Sequence, residues 1–167
     1  MTRMFVSLGS NIEPEVNVPR AVAELRRRFA VVAVSRAYRT APIGDADQPD
    51  FWNLAAEIES ALGPERVQEQ LRAIERELGR VRDPRRPFGP RIADLDLVLV
   101  EGVVGRFGGL ELPSPLLARE AFVAVPVAEL SPELPHPVLG TPLRELARVA
   151  AGRSPRPPEP IAMEAKR

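Results

Sequence analysis

An α+β fold is predicted by three observations on the first hundred residues. Short β-branched runs and amphipathic stripes follow in the order strand, helix, strand, strand, helix, strand. The connections between them are marked by glycine and proline, as at Gly9-Ser10-Asn11, Pro42-Ile43-Gly44 and Gly63-Pro64. The last of these strands, Asp94 to Val100, alternates so that its carboxylates share one face.

The elements follow in order. Residues 4–8 (MFVSL) read as a buried strand that stops at Gly9-Ser10-Asn11. Asn17 is a candidate cap for a helix to about residue 29, with Pro19 in its first turn. Val18, Ala21, Val22, Leu25 and Phe29 share its inner face. Residues 30–38 read as one strand, 39–50 as a turn-rich loop and 51–60 as a third strand. A second helix starts at Pro64-Glu65, buries Val67, Leu71, Ile74 and Leu78, and ends at Gly79. After the strand at 94–100 come a hairpin over 101–112 and short helices over 119–130 and 142–150. This βαββαβ order specifies a ferredoxin-like α/β sandwich with an extra C-terminal hairpin and helices. Residues 1–150 then form a single domain, and the proline-rich tail, 151–167, is expected to be disordered.

Composition narrows the function. Basic and acidic residues both number 23, so the formal net charge is zero. A nucleic-acid binder or a membrane-surface protein usually carries a basic excess. Aromatic residues make up 5%, too few for the stacking face of an RNA-binding sheet. Without cysteine and with one histidine, disulfides, thiolate zinc sites and multi-histidine metal sites are excluded. His136, between two prolines, reads as structural or solvated. A metal in this chain must sit on carboxylates, which suits magnesium or manganese. The N-terminus lacks the apolar core of a signal peptide, and no run is long enough to span a membrane, so a cytoplasmic location is expected; nothing reads as a large exposed apolar patch, so a monomer is expected.

The chemistry concentrates at GRVRDPRRPFGPRIADLDLVLV, residues 79–100. Arg80, Arg82, Arg85, Arg86 and Arg91 crowd a loop broken by proline and glycine. Arginine's planar fork suits phosphate oxygens, and such a loop can close over a polyphosphate. Asp94 and Asp96 project from one side of the following strand about 6.5–7 Å apart. Like charges so placed raise each other's pKa unless a cation lies between them. A solvated loop whose arginines pair with Glu75 and Glu77 is the plainer alternative for the loop alone. Both large phosphoryl-transfer motifs, the P-loop and the kinase glycine loop, are missing. Phe51 and Asn53 share a strand face opposite Trp52 and Leu54, an aromatic beside an amide that suits a flat heteroaromatic ring.

These motifs together resemble the 6-hydroxymethyl-7,8-dihydropterin pyrophosphokinases. The resemblance is carried by Gly9-Ser10-Asn11, Tyr38-Arg39-Thr40 with Pro42, and Gln48-Pro49-Asp50-Phe51 with Asn53. It continues in Glu75, Gly79-Arg80-Val81-Arg82, Gly89-Pro90-Arg91, Asp94-Leu95-Asp96, Pro113 and Ala121-Phe122-Val123 with Pro126. It implies transfer of pyrophosphate from ATP to the hydroxymethyl group of the pterin, releasing AMP. By resemblance, Asp94 and Asp96 hold two Mg2+, while Arg80, Arg82 and Arg91 act on the phosphates. Thr40, Pro42, Ile43, Gly44, Phe51, Asn53 and Phe122 bind the pterin. Glu75, Arg82, Arg91, Leu97, Ser114 and Arg119 bind ATP. Three departures bear on these roles: Ser114 stands where many relatives have His, the order at 119–120 is Arg-Glu and not Glu-Arg, and Phe88 stands where Trp is common.

Overall fold

In the computed structural model, which describes residues 1–81 and 83–162, hydrophobic patterning resolves into a six-stranded antiparallel sheet with helices on both faces. The elements are β1 (Thr2–Ser10), α1 (Pro14–Arg28), β2 (Ala30–Val34), β3 (Ala37–Thr40), β4 (Phe51–Ser60), α2 (Pro64–Glu77) and β5 (Asp94–Val100). They continue with β6 (Gly105–Phe107), β7 (Leu110–Leu112), α3 (Pro115–Arg119), α4 (Ala121–Leu130), α5 (Leu143–Arg153) and β8 (Glu159–Ile161). The sheet order is β5-β1-β4-β3-β8, with β2 also pairing β4, while β6 and β7 form a separate hairpin. The ferredoxin-like core is therefore present.

One sheet face buries Met4, Val6 and Leu8 of β1 with Leu54, Ala56 and Ile58 of β4 against the stripes of α1 and α2. Val18, Ala21, Leu25, Val67, Leu71 and Ile74 are fully buried there. Each of these valine, leucine and isoleucine side chains contributes about 1.5–3 kcal/mol relative to exposure. The other face buries Phe5, Ala55, Val98 and Leu99 against α3, α4 and α5. Helices thus cover both faces of the one sheet.

Five local expectations change. Helix α1 starts at Pro14, whose fixed φ suits a first turn, and Glu13, not Asn17, is the cap residue. Asn17 lies inside the helix, its Nδ2 donating to Ile12 O at 2.6 Å, and Pro19 is interior. The strand foreseen over 30–38 divides into β2 and β3, both laid along β4. The helix foreseen over 119–130 breaks at Glu120, whose extended backbone separates α3 from α4. In β5 the pairing with β1 shifts between Phe5 and Val6, which face Leu99 and Leu97. That extra residue reverses the alternation, so Val100 joins the α1/α2 core while Leu99 joins the opposite one. Asp94 and Asp96 precede the shift and keep the face of Val98.

The fifth change concerns the tail. Residues 151–153 complete α5, and Glu159–Ile161 pair with Ala37–Arg39 as the outermost strand. Disorder from residue 151 is therefore overturned as far as 162; residues 163–167 lie outside the described residues. An edge strand tolerates Pro160 because only one of its sides needs hydrogen-bond donors. His136 is structural: it is buried, and its Nδ1 accepts from Val138 N at 3.2 Å and Leu139 N at 3.1 Å. Burial holds its pKa below the ordinary value.

Candidate active site

Helix α4 covers the half of the sheet around Ala55 and Val98 and leaves uncovered the end where β1, β4 and β5 meet their loops. Register aligns three positions there: Gly9 of β1 lies between Asn53 of β4 and Asp94 of β5, and Ser7 lies beside Asp96. A Cβ on Gly9 would come within 2.4 Å of Asn53 Oδ1, so glycine is what lets the amide lie across β1. Asn53 Nδ2 in turn donates to Thr40 Oγ1 at 2.6 Å, which fixes the amide orientation. Gly9→Ala is expected to displace Asn53 and raise the acceptor KM by about tenfold, the value of one hydrogen bond to a buried group. Steady-state kinetics against each substrate would show it, and an effect on ATP alone would contradict it.

The resulting cavity, of about 320 Å3, joins apolar and charged walls. Thr40, Ile43, Phe51, Asn53 and Phe122 line one side, and Arg72, Arg80, Arg91, Asp94 and Asp96 the other. A second cavity of about 380 Å3 lies within the arginine loop, bounded by Arg80, Arg86 and Arg91. Arg80 and Arg91 border both.

The carboxylates are matched by arginines on both sides. Asp94 Oδ1 accepts from Arg80 at 3.0 Å and Oδ2 from Arg91 at 2.9 Å. Asp96 Oδ1 accepts from Arg72 at 2.9 Å. Glu75, almost wholly buried, accepts from Arg72 at 2.8 Å and from Leu95 N at 2.8 Å, and forms an ion pair with Arg80 at 2.9 Å. Burial first, then the Asp94 charge, pushes the Asp96 carboxyl up to about 6, against the pull of Arg72. Burial works against the Arg72 charge, but the facing Asp96 and Glu75 carboxylates raise its pKa above the ordinary arginine value. The Asp96 side chain is 38% exposed, so solvent screens part of these charge interactions.

Sequence reasoning missed Arg72. It lies on the partly open side of α2, where arginine ordinarily reads as a solvated residue; the one signal was its i,i+3 spacing from Glu75. With Gln68 and Glu75 it also caps the outer edge of β5. Gln68 and Arg72 donate to Leu95 O at 3.2 and 3.1 Å, and Leu97 N donates to Gln68 Oε1 at 2.9 Å. An otherwise open edge strand is thereby satisfied.

The expected pterin residues are brought together in part. Thr40, Ile43, Phe51, Asn53 and Phe122 line the cavity, whereas Pro42 and Gly44 lie outside its lining. Gly44, at φ +83, packs under the Phe88 ring, where a Cβ would meet ring carbons at 3.1–3.2 Å. The expected ATP residues are dispersed, and of those described only Arg91 lines a cavity. Glu75 sits behind the arginines. The Leu97 side chain is in the α1/α2 core, leaving only its backbone at the edge. Ser114 Oγ caps α3 by accepting from Leu116 N, and Arg119 is exposed at the end of that helix. Arg82 lies outside the described residues. Arg85 is 91% exposed, as expected of a solvated side chain. Arg86 is not simply solvated: its Nε donates to Asp45 Oδ2 at 2.7 Å, tying the two loops together. Gln48 adds a bond to Phe88 O at 2.7 Å, and Asn11 joins Gln48 to the backbone of Arg91.

A carboxylate pair ringed by arginines, sharing one cavity with aromatic and amide groups, has the chemistry of a phosphoryl-transfer site for a flat acceptor. Comparison with known proteins agrees. The sequence model of the 7,8-dihydro-6-hydroxymethylpterin-pyrophosphokinase family matches residues 5–132. The chain is 42% identical over 137 residues to a 2-amino-4-hydroxy-6-hydroxymethyldihydropteridine pyrophosphokinase of Methylorubrum extorquens, covering 80% of this chain and 85% of that one. It is 40% identical over 129 residues to the enzyme of that name from Bacillus subtilis, covering 75% and 76%. The fold matches the Plasmodium falciparum HPPK-DHPS structure with pteroate at TM-score 0.70 and 11% identity, covering 91% of this chain and 45% of that one. This chain thus spans less than half of those two-part chains, and that likeness concerns the fold. The chain belongs to the pyrophosphokinase family, and its reaction is pyrophosphoryl transfer from ATP to hydroxymethyldihydropterin in folate biosynthesis.

Proposed function

We propose that this transfer depends on Mg2+ and runs across the boundary between the two cavities, from ATP under the arginine loop to a pterin against Phe51 and Phe122. The observation that carries the reading is that Arg80 and Arg91 border both cavities while bonded to Asp94. The donor set fits the metal: two carboxylates on one strand face, with phosphate oxygens to complete the sphere, suit Mg2+ and not a softer ion. Asp94 and Asp96 would hold two ions, which would supply positive charge to neutralise the phosphates.

The chain's own residues do the rest. Arg72, Arg80 and Arg91 transfer their hydrogen bonds from carboxylates to phosphate oxygens when a nucleotide arrives, and Arg82 is assigned with them by its place in the loop. Glu75, behind them, keeps Arg72 and Arg80 aimed at the cavity. Phe51 and Phe122 take the faces of the pterin ring, and Asn53 with Thr40 bonds its edge. The acceptor oxygen is then held beside the Asp pair, and transfer proceeds by positioning and electrostatic stabilisation. Ser114 and Arg119 line neither cavity, and their assignment to the nucleotide rests on the resemblance alone. Among the described residues no helix is long and apolar enough to cross a membrane. A cytoplasmic monomer with ATP and the pterin as its ligands is our reading.

The test is direct. With ATP, Mg2+ and 6-hydroxymethyl-7,8-dihydropterin, AMP and the pterin diphosphate form in equal amounts, and chelation stops the reaction. ADP as the sole nucleotide product would refute the transfer, and turnover surviving chelation would refute the metal.

A further inference from the structure

The family match stops at residue 132, yet the chain runs back across the sheet beside the acceptor wall. After α5, residues 154–158 lead into β8, which pairs Glu159 with Arg39, Pro160 with Tyr38 and Ile161 with Ala37. Ile161 packs against the α1/α2 core, anchoring the far end. At the near end, the Arg156 guanidinium grips Asp50 with both arms, NH2 to Oδ2 at 2.6 Å and NH1 to Oδ1 at 3.2 Å. Asp50 immediately precedes Phe51, and Phe51 pairs with Thr40 across β3 and β4. The segment therefore touches the strand that carries Thr40 and the residue that sets the start of β4. It reaches the site from outside, because Arg156 lies outside the cavity lining.

We propose that residues 154–161 form a strap that holds the acceptor wall, with Arg156 a positioning residue for Phe51 through Asp50. The proposal rests on reading Phe51 as a face of the pterin site. The fork geometry is what sets this pair apart from an ordinary surface contact: two parallel bonds fix the direction of the Asp50 side chain as well as its distance. Both partners keep some exposure, 57% for Arg156 and 30% for Asp50, so the effect is modest. A pair of this kind carries about three- to fivefold in an equilibrium.

The test uses the full chain with Arg156→Ala, Arg156→Lys and the paired exchange of Arg156→Asp with Asp50→Arg. Arg156→Ala is expected to raise the pterin KM by about three- to fivefold while kcat and the ATP KM stay within about twofold. The paired exchange restores the KM, and lysine, lacking the fork, restores it in part. In the ligand-free protein, amide exchange at residues 51–53 quickens in Arg156→Ala. Ile161→Asp, which releases the far anchor, adds faster exchange at residues 37–39. An unchanged pterin KM, or a fall in kcat with an unchanged KM, overturns the positioning role. Unaltered exchange in both variants overturns the strap. Phe51→Ala is the control: a pterin KM unmoved by that change removes the acceptor reading and the proposal together, whatever the exchange shows.

Discussion

Asp96→Asn is expected to cut turnover by about a thousandfold or more while making the metal-free protein more stable at pH 8. The two effects have one cause. Burial and the Asp94 charge raise the Asp96 pKa to about 6, whereas an unfolded aspartate titrates near 3.9. The folded protein therefore binds this proton more tightly than the unfolded chain does. This contribution to stability is complete below pH of about 4 and is lost as pH rises through about 6. Above that, the folded state bears an ionised carboxylate it disfavours, and asparagine removes the burden. Arg72 keeps Glu75 and Leu95 O as partners in the variant, so no buried cation is stranded. Melting temperatures of the two metal-free proteins should differ most above pH 6 and converge below about pH 4. Adding Mg2+ with a nucleotide should raise the wild-type value and leave the variant nearly unmoved. Retained turnover would remove the metal assignment, and a metal-free variant less stable than wild type at pH 8 would remove the electrostatic account.

The same site shows which features local sequence can encode. Asp94 and Asp96 were placed on the correct face because strand alternation is a local rule and the bulge follows them. Leu99 and Val100 fall beyond the bulge, and nothing in DLDLVLV marks where an extra residue enters the ladder. Phe51 and Asn53 were legible for the same reason as the aspartates. Arg72 was not, because a helix periodicity that assigns α2 its buried stripe assigns everything else to solvent, including a side chain that reaches over an edge strand. The link from Arg86 to Asp45 and that from Arg156 to Asp50 join residues 41 and 106 positions apart. No spacing rule reaches so far. The tail misled through composition: prolines that lower the prospect of a packed core are also preset to the extended backbone that an outermost strand uses.

Arg91→Ala should lower kcat by about 100- to 1000-fold and leave the pterin KM within about threefold, since on the proposed reading the lost group acts where charge develops. The site holds this residue by its backbone: Arg91 N donates to Asn11 Oδ1 at 2.8 Å, and Asn11 N donates to Arg91 O at 3.0 Å. Neither bond involves the guanidinium, so truncation leaves the loop anchored and the fold intact. The guanidinium itself spans the boundary between the cavities, with one arm on Asp94 at 2.9 Å and the other on Pro87 O at 2.6 Å. In that position it can exchange a carboxylate for a phosphate oxygen through a rotation of its own side chain. Among the described residues, removing it leaves Asp94 with Arg80 as its bonded arginine in the ligand-free protein, which should favour metal entry and disfavour phosphate. Two measurements separate these consequences. Metal titration of the nucleotide-free variant should show equal or tighter binding, while single-turnover kinetics with saturating ATP should show the slow transfer. Lysine at this position should recover only part of the rate, because a point charge cannot span Asp94 and Pro87 O as the two guanidinium arms do, nor hold phosphate with two parallel bonds. A loss confined to the pterin KM, with transfer at the normal rate, would move Arg91 out of the phosphate site and onto the acceptor.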